Sequence, residues 1–138
     1  MAAFDAGPVE IGARKRILLV EDDSLIAMMM AQTLRDLNFD VVGPFGRVSE
    51  AVAMLDGHAV DAGILDINLA GEMVYPLAHL LAARKVPFVF MTGYGSEVIE
   101  QPFPQVQVLQ KPVDRETLRK LFVTNSPEMA FAGARAIA

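Results

Sequence analysis

"ILDINLAG", residues 64–71, places an acid directly behind a short apolar run and turn-forming residues directly behind the acid. A carboxylate in that position either faces water where a strand stops or is a nucleophile held at the mouth of a sheet. The surrounding chain decides which. "AGILD" (62–66) has counterparts in "RILLV" (16–20), "DVVGP" (40–44), "VPFVFM" (86–91) and "VQVL" (106–109). Short, nearly continuous apolar runs of this kind read as strands covered on both faces. Between them the spacing turns helical. Ile26, Met29, Met30, Leu34 and Leu37 follow Ser24, a predicted N-cap, and the methionine run 28–30 reads as core filling. Ser49 is predicted to cap a short helix ending near Gly57, with Val52 and Leu55 facing inward. Residues 74–83 form a third helical pattern with Pro76 in its first turn, and Asp114 caps a last helix carrying Leu118, Leu121 and Phe122. Strands alternating with helices imply right-handed βαβ units and a mostly parallel sheet.

Composition fits one such domain. A chain of 138 residues is the size of a single core, and 53% hydrophobic residues with mean hydropathy +0.35 supply the material to fill it. Net charge is −5 with no long basic run, so nucleic acid is not an expected partner. The cluster Arg14, Lys15, Arg16 reads as a solvated strand entrance. There is no cysteine, which excludes disulfides, thiolate zinc sites and cysteine nucleophiles. Neither a secretory leader nor the ~18 apolar residues of a membrane span is visible, and a cytoplasmic protein is the expectation.

In a sheet of this type ligands sit beyond the carboxyl ends of the strands. Strand one ends in Glu21, Asp22 and Asp23, strand three in Asp66, strand four in Thr92 and strand five in Lys111-Pro112. Each alone is weak evidence; their chemistry is complementary. Carboxylates ~4 Å apart repel by a few kcal/mol at an effective dielectric near 20, unless a cation sits among them. An oxygen-only donor set points to Mg²⁺ rather than zinc. Asp22, Asp66, the main-chain carbonyl of Asn68 and waters would hold it, Lys111 would balance anionic charge, and Thr92 would donate to a phosphoryl oxygen. Asp66 could then attack phosphorus in line and become an aspartyl phosphate.

The elements "LLVEDD", "ILDINL", "FMTG" and "LQKP", in this order and at strand ends, resemble the receiver domain of two-component response regulators across roughly residues 15–123. The resemblance implies a CheY-like, doubly wound five-stranded sheet of order 2-1-3-4-5. It makes Asp66 the phosphoacceptor, with Mg²⁺ bound by Asp22 directly, Glu21 through water and Asn68 through its main chain. Thr92 and Lys111 would contact the phosphoryl group, and Lys111-Pro112 would be a cis peptide. Asp23 falls outside that set. Residues 15–124 are the expected receiver domain, 1–14 an N-terminal extension and 125–138 a tail.

"VPFVFMTGYG" with "GEMVYPLA" is further similar to a stand-alone receiver subgroup with a Phe-Ala-Thr-Gly-x-Tyr-type motif, Met91 standing where that motif has Ala. That likeness implies a histidine kinase partner of the HWE or related type, in stress signalling. Two departures from an ordinary receiver stand out. The aromatic switch position, three before the lysine, is Val108. Thr92 and Lys111 lie only 19 positions apart, leaving "SEVIEQ" for a fourth helix that is predicted short or disordered, with 93–105 ordering on phosphorylation. Tyr94 is a candidate for tuning phosphoryl lifetime, or packs over that helix. His58 and His79 read as structural or surface residues.

The short stretch after Thr124 leaves no room for an output domain, so a monomer that signals by protein contact, or drains phosphoryl groups from a kinase, is expected. Two alternatives compete. A Mg²⁺-dependent phosphatase would need a second acid at position 68, where Asn68 stands. A receiver that is never phosphorylated would bind partners through the same surfaces.

Overall fold

The computed structural model describes residues 14–93, 103 and 105–124, without the side chains of 123 and 124. Twelve elements follow one another along these residues. They are β1 (Arg16–Val20), α1 (Ser24–Asp36), β2 (Asp40–Phe45), α2 (Val48–Leu55), β3 (Ala62–Asp66), β4 (Asn68–Leu69) and β5 (Glu72–Met73). After these come α3 (Tyr75–Ala83), β6 (Phe88–Thr92), β7 (Val108–Gln110), α4 (Arg115–Arg119) and a closing π-helical turn (Lys120–Thr124). Five strands form one parallel sheet in the order β2-β1-β3-β6-β7, parallel as the alternation predicts and doubly wound in the order the resemblance implies. Strand order reverses beside β1, so the crevice between the ends of β1 and β3 is where a ligand is expected.

Apart from their end residues the central strands are apolar, because both their faces are covered. Leu18, Leu19, Val20, Ile64, Leu65, Val89 and Phe90 are all sealed from water. Gly63 gives α3 a close seat: a Cβ there would stand 3.3 Å from Leu81 Cδ1 and 3.4 Å from Phe88 Cβ, a tight contact that the leucine would have to yield to. Gly43 lies at φ +109°, and a side chain would meet the Leu19 carbonyl oxygen at 2.8 Å. It sits in β2 where the pairing with β1 shifts register, beside a cis Gly43–Pro44 peptide.

Several local expectations are corrected. Asp23, not Ser24, caps α1: its carboxylate accepts from the amides of Leu25 and Ile26 at 3.0 and 3.1 Å. Arg47, not Ser49, is the N-cap of α2, and its side chain makes no capping bond. Of the methionine run only Met30 is core; Met28 and Met29 are 64% and 60% exposed, and Val52 is also turned to the surface. The stripe that faces the sheet is Ala27, Met30, Ala31 and Leu34, so small alanines rather than methionines allow α1 its close approach. β6 begins at Phe88 rather than Val86, because Lys85 takes a left-handed conformation and the Val86 amide still bonds to Leu81 of α3. β7 begins at Val108 because the Val106 amide closes a turn onto Phe103. Asp114 caps α4 as expected, accepting from the Thr117 amide at 2.8 Å, and Leu118, Leu121 and Phe122 are buried. The predicted fourth helix, Tyr94 and both termini lie outside the described residues.

Candidate functional site

At the carboxyl ends of β1, β3, β6 and β7 the chain opens a cleft of about 540 Å³. Glu21, Asp22, Asp66, Asn68, Thr92 and Lys111 all line it, so the residues expected to hold the metal and the phosphoryl group come together there. Parallel pairing is what aligns them. Asp66 is the last residue of β3, opposite Met91 of β6, and Thr92 is the last of β6, opposite Gln110 of β7. The Lys111 amide donates to the Thr92 carbonyl at 2.8 Å, which fixes the lysine's root, and Lys111–Pro112 is cis.

Glu21 and Asp66 are buried, and Asp22 is exposed at the cleft mouth. One carboxylate oxygen from each lies within 4.8 Å of the others. Lys111 Nζ holds the two buried acids together, donating to Glu21 Oε1 at 2.9 Å and Asp66 Oδ2 at 3.0 Å. The second Glu21 oxygen accepts from the Asp23 amide at 3.0 Å, and Asp66 Oδ1 accepts from the Asn68 amide at 3.3 Å. Burial pushes the Asp66 carboxyl up to about 7; the Lys111 hydrogen bond pulls it down, and the nearby Glu21 charge raises it further. Burial disfavours the Lys111 ammonium, yet its bonds to Glu21 and Asp66 outweigh that and hold its pKa above the ordinary value.

Three acids share one ammonium, so the cluster stays net negative when ionised. Its donors are carboxylate oxygens with no His or Cys among them, the set that hard divalent cations take. Asn68 reaches the cleft as part of a hairpin the sequence reading missed. β4 and β5 pair antiparallel through a two-residue turn with Ala70 at φ 54° and Gly71 at φ 96°. Asn68 Oδ1 accepts from the Gly71 amide at 2.6 Å, so the carboxamide braces the turn. The signal available was thin: Asn and Gly three apart, with alanine hiding the first left-handed position. Asp23 was also undervalued, since its carboxylate caps α1 while its amide holds Glu21. Val108, at the position where receivers carry an aromatic switch, is 39% exposed on β7. His79 packs against Phe103, ring centroids 4.8 Å apart, away from the acids.

A family model described as "Response regulator receiver domain" matches residues 17–123. "Transcriptional regulatory protein PdtaR" of Mycobacterium tuberculosis is 31% identical over 82 residues, 59% of this chain and 40% of that protein, so the chain spans well under half of that curated relative. The solution structure of SdrG from Sphingomonas melonis Fr1 is 38% identical with a TM-score of 0.70, covering 88% of this chain and 96% of that one. The BeF3-activated conformation of SdrG, from Pseudomonas melonis Fr1, is 41% identical with a TM-score of 0.68, covering 79% and 93%.

Proposed function

Because the chain belongs to the response regulator receiver domain family, a family of signalling modules rather than conventional enzymes, we propose that it accepts a phosphoryl group on Asp66 from a histidine kinase. The observation that carries this is the buried pair Glu21 and Asp66 bridged by Lys111, inside a cleft that Asp22 and Thr92 also line. A phosphoryl donor is anionic and Asp66 is an anionic nucleophile, so positive charge has to stand between them.

In the transfer, an Asp66 carboxylate oxygen forms a bond to phosphorus as the P–N bond to the kinase histidine breaks. The leaving imidazole takes up a proton. Lys111 offsets the charge on the phosphoryl oxygens, and the Thr92 hydroxyl donates a hydrogen bond to one of them. Glu21, Asp22, Asp66 and the main chain of Asn68 would hold Mg²⁺, which when bound supplies further charge neutralisation at the phosphoryl oxygens. The Asp23 amide keeps Glu21 aimed into the cleft.

The output in this reading is protein contact, or drainage of phosphoryl groups from a kinase. Beside the cleft α1 presents Leu25, Met28 and Met29, each at least 60% exposed and spaced to lie on one helix face. An apolar stripe of that kind suits a partner protein, and the motif likeness points to a histidine kinase of the HWE or related type in stress signalling. Incubating the protein with a small acyl phosphate and Mg²⁺ tests the proposal. Intact mass is expected to rise by one phosphoryl group, and not to rise in Asp66→Asn or with a chelator present. Equal labelling of Asp66→Asn would overturn it.

A further inference from the structure

Glu72, the first residue of β5, lies outside the parallel sheet, yet it ties the wall of the cleft to a different part of the molecule. Its Oε1 accepts from the Val48 amide at 3.3 Å, across 24 positions of sequence. Val48 is the first residue of α2, whose N-cap Arg47 offers no side-chain acceptor. Glu72 therefore supplies from outside the cap that α2 lacks within its own sequence, satisfying one of the amides a helix start leaves unpaired. On its other side Glu72 pairs with Leu69 in the β4–β5 hairpin. Asn68, Ala70 and Gly71 of that hairpin form the cleft wall beside Asp66.

Within the hairpin the bonds are local: Asn68 Oδ1 to the Gly71 amide, and the Val74 amide to the Ile67 carbonyl at 3.0 Å. They fix the hairpin's own shape. The Glu72 bond fixes where it stands relative to α2. We propose that Glu72 is a positioning residue that sets the Asn68–Gly71 wall against the acid cluster and passes the occupancy of the cleft to the start of α2. This rests on the reading of the cleft as a Mg²⁺-dependent phosphoryl acceptor site. A capping carboxylate and a helix-start amide form a short connection from the β4–β5 hairpin to the start of α2, so any displacement of the wall relative to α2 must stretch or shorten it.

The test compares wild type, Glu72→Ala and Glu72→Gln, following backbone amides during titration with Mg²⁺ alone and measuring labelling rate against acyl phosphate concentration. Glu72→Ala is expected to weaken apparent Mg²⁺ affinity by about fivefold, the scale of one hydrogen bond. It should also abolish the Mg²⁺-dependent shift of the Val48 amide. Glu72→Gln keeps the acceptor oxygen and is expected to restore both. Wild-type affinity together with an unchanged Val48 response in Glu72→Ala would overturn the inference. So would equal losses in Ala and Gln, because then charge rather than capping would matter. If wild type itself neither binds Mg²⁺ nor takes a phosphoryl group, the reading of the cleft fails first, and the two failures stay distinct. Should Glu72→Ala not fold, the inference stands or falls on Glu72→Gln, which must retain the Val48 response.

Discussion

Lys111 and Asp66 dominate at the scale of single residues. The ammonium balances two buried carboxylates, so removing it leaves both without compensation. Lys111→Met is expected to destabilise the metal-free protein by on the order of 3 kcal/mol, and added Mg²⁺ should restore more stability to the variant than to wild type; denaturant midpoints with and without the ion read this directly. Asp66 makes a second prediction, through pH. Its carboxyl is raised from 3.8 to about 7 in the folded chain. The folded state thus holds a proton that the unfolded state has released, and stability rises as protons are supplied. Asp66's contribution is whole below pH 3.8 and is lost as pH climbs through about 7. In chelator, urea midpoints are expected to fall across that window in wild type relative to Asp66→Asn, which lacks the titrating group. Identical pH profiles for the two proteins would contradict the placement of Asp66 in a desolvated site.

Elements show what local sequence can and cannot specify. The three central strands announced themselves because a strand covered on both faces must be mostly apolar, as in "RILLV" and "AGILD", while the edge strands β2 and β7 are shorter on buried residues. Helix faces were harder. Met28 and Met29 satisfy a helical period as well as Ala27 and Ala31 do, and only the sheet's demand for close approach selects the alanines. Caps were shifted by one or two residues because aspartate and serine compete for the same role, and the α2 cap comes from Glu72, far away in sequence. The β4–β5 hairpin was too short for alternation to reveal. Phe103 was not singled out, yet it is fully buried, with ring contacts to Phe88, Phe90 and His79 at 5.5, 6.1 and 4.8 Å between centroids. It pins the connection between β6 and β7 to α3. Phe103→Ala should cost ~3–5 kcal/mol in equilibrium unfolding, as loss of a buried aromatic ring commonly does, and a cost below ~1 kcal/mol would mean the ring is not anchored there.

Across the whole molecule, the candidate site was more legible than the elements that build it. Glu21, Asp22, Asp66, Thr92 and Lys111 are read from strand ends, and parallel pairing brings all strand ends to one rim whatever the exact boundaries. What the chain order could not display is the second layer of contacts. Asp23 holding Glu21, Asn68 bracing its own turn and Glu72 reaching α2 all depend on how the loops close. Among the described residues no helix is long and apolar enough to cross a membrane. The central claim is that the Asp66 carboxylate is itself the atom group that takes the phosphoryl. Borohydride reduces an acyl phosphate to an alcohol, so treating the labelled protein and mapping its peptides reads the acceptor directly. Homoserine at position 66 and nowhere else is the predicted result. Aspartate intact at 66, with homoserine at 22 or 23 or with none formed, would contradict the account.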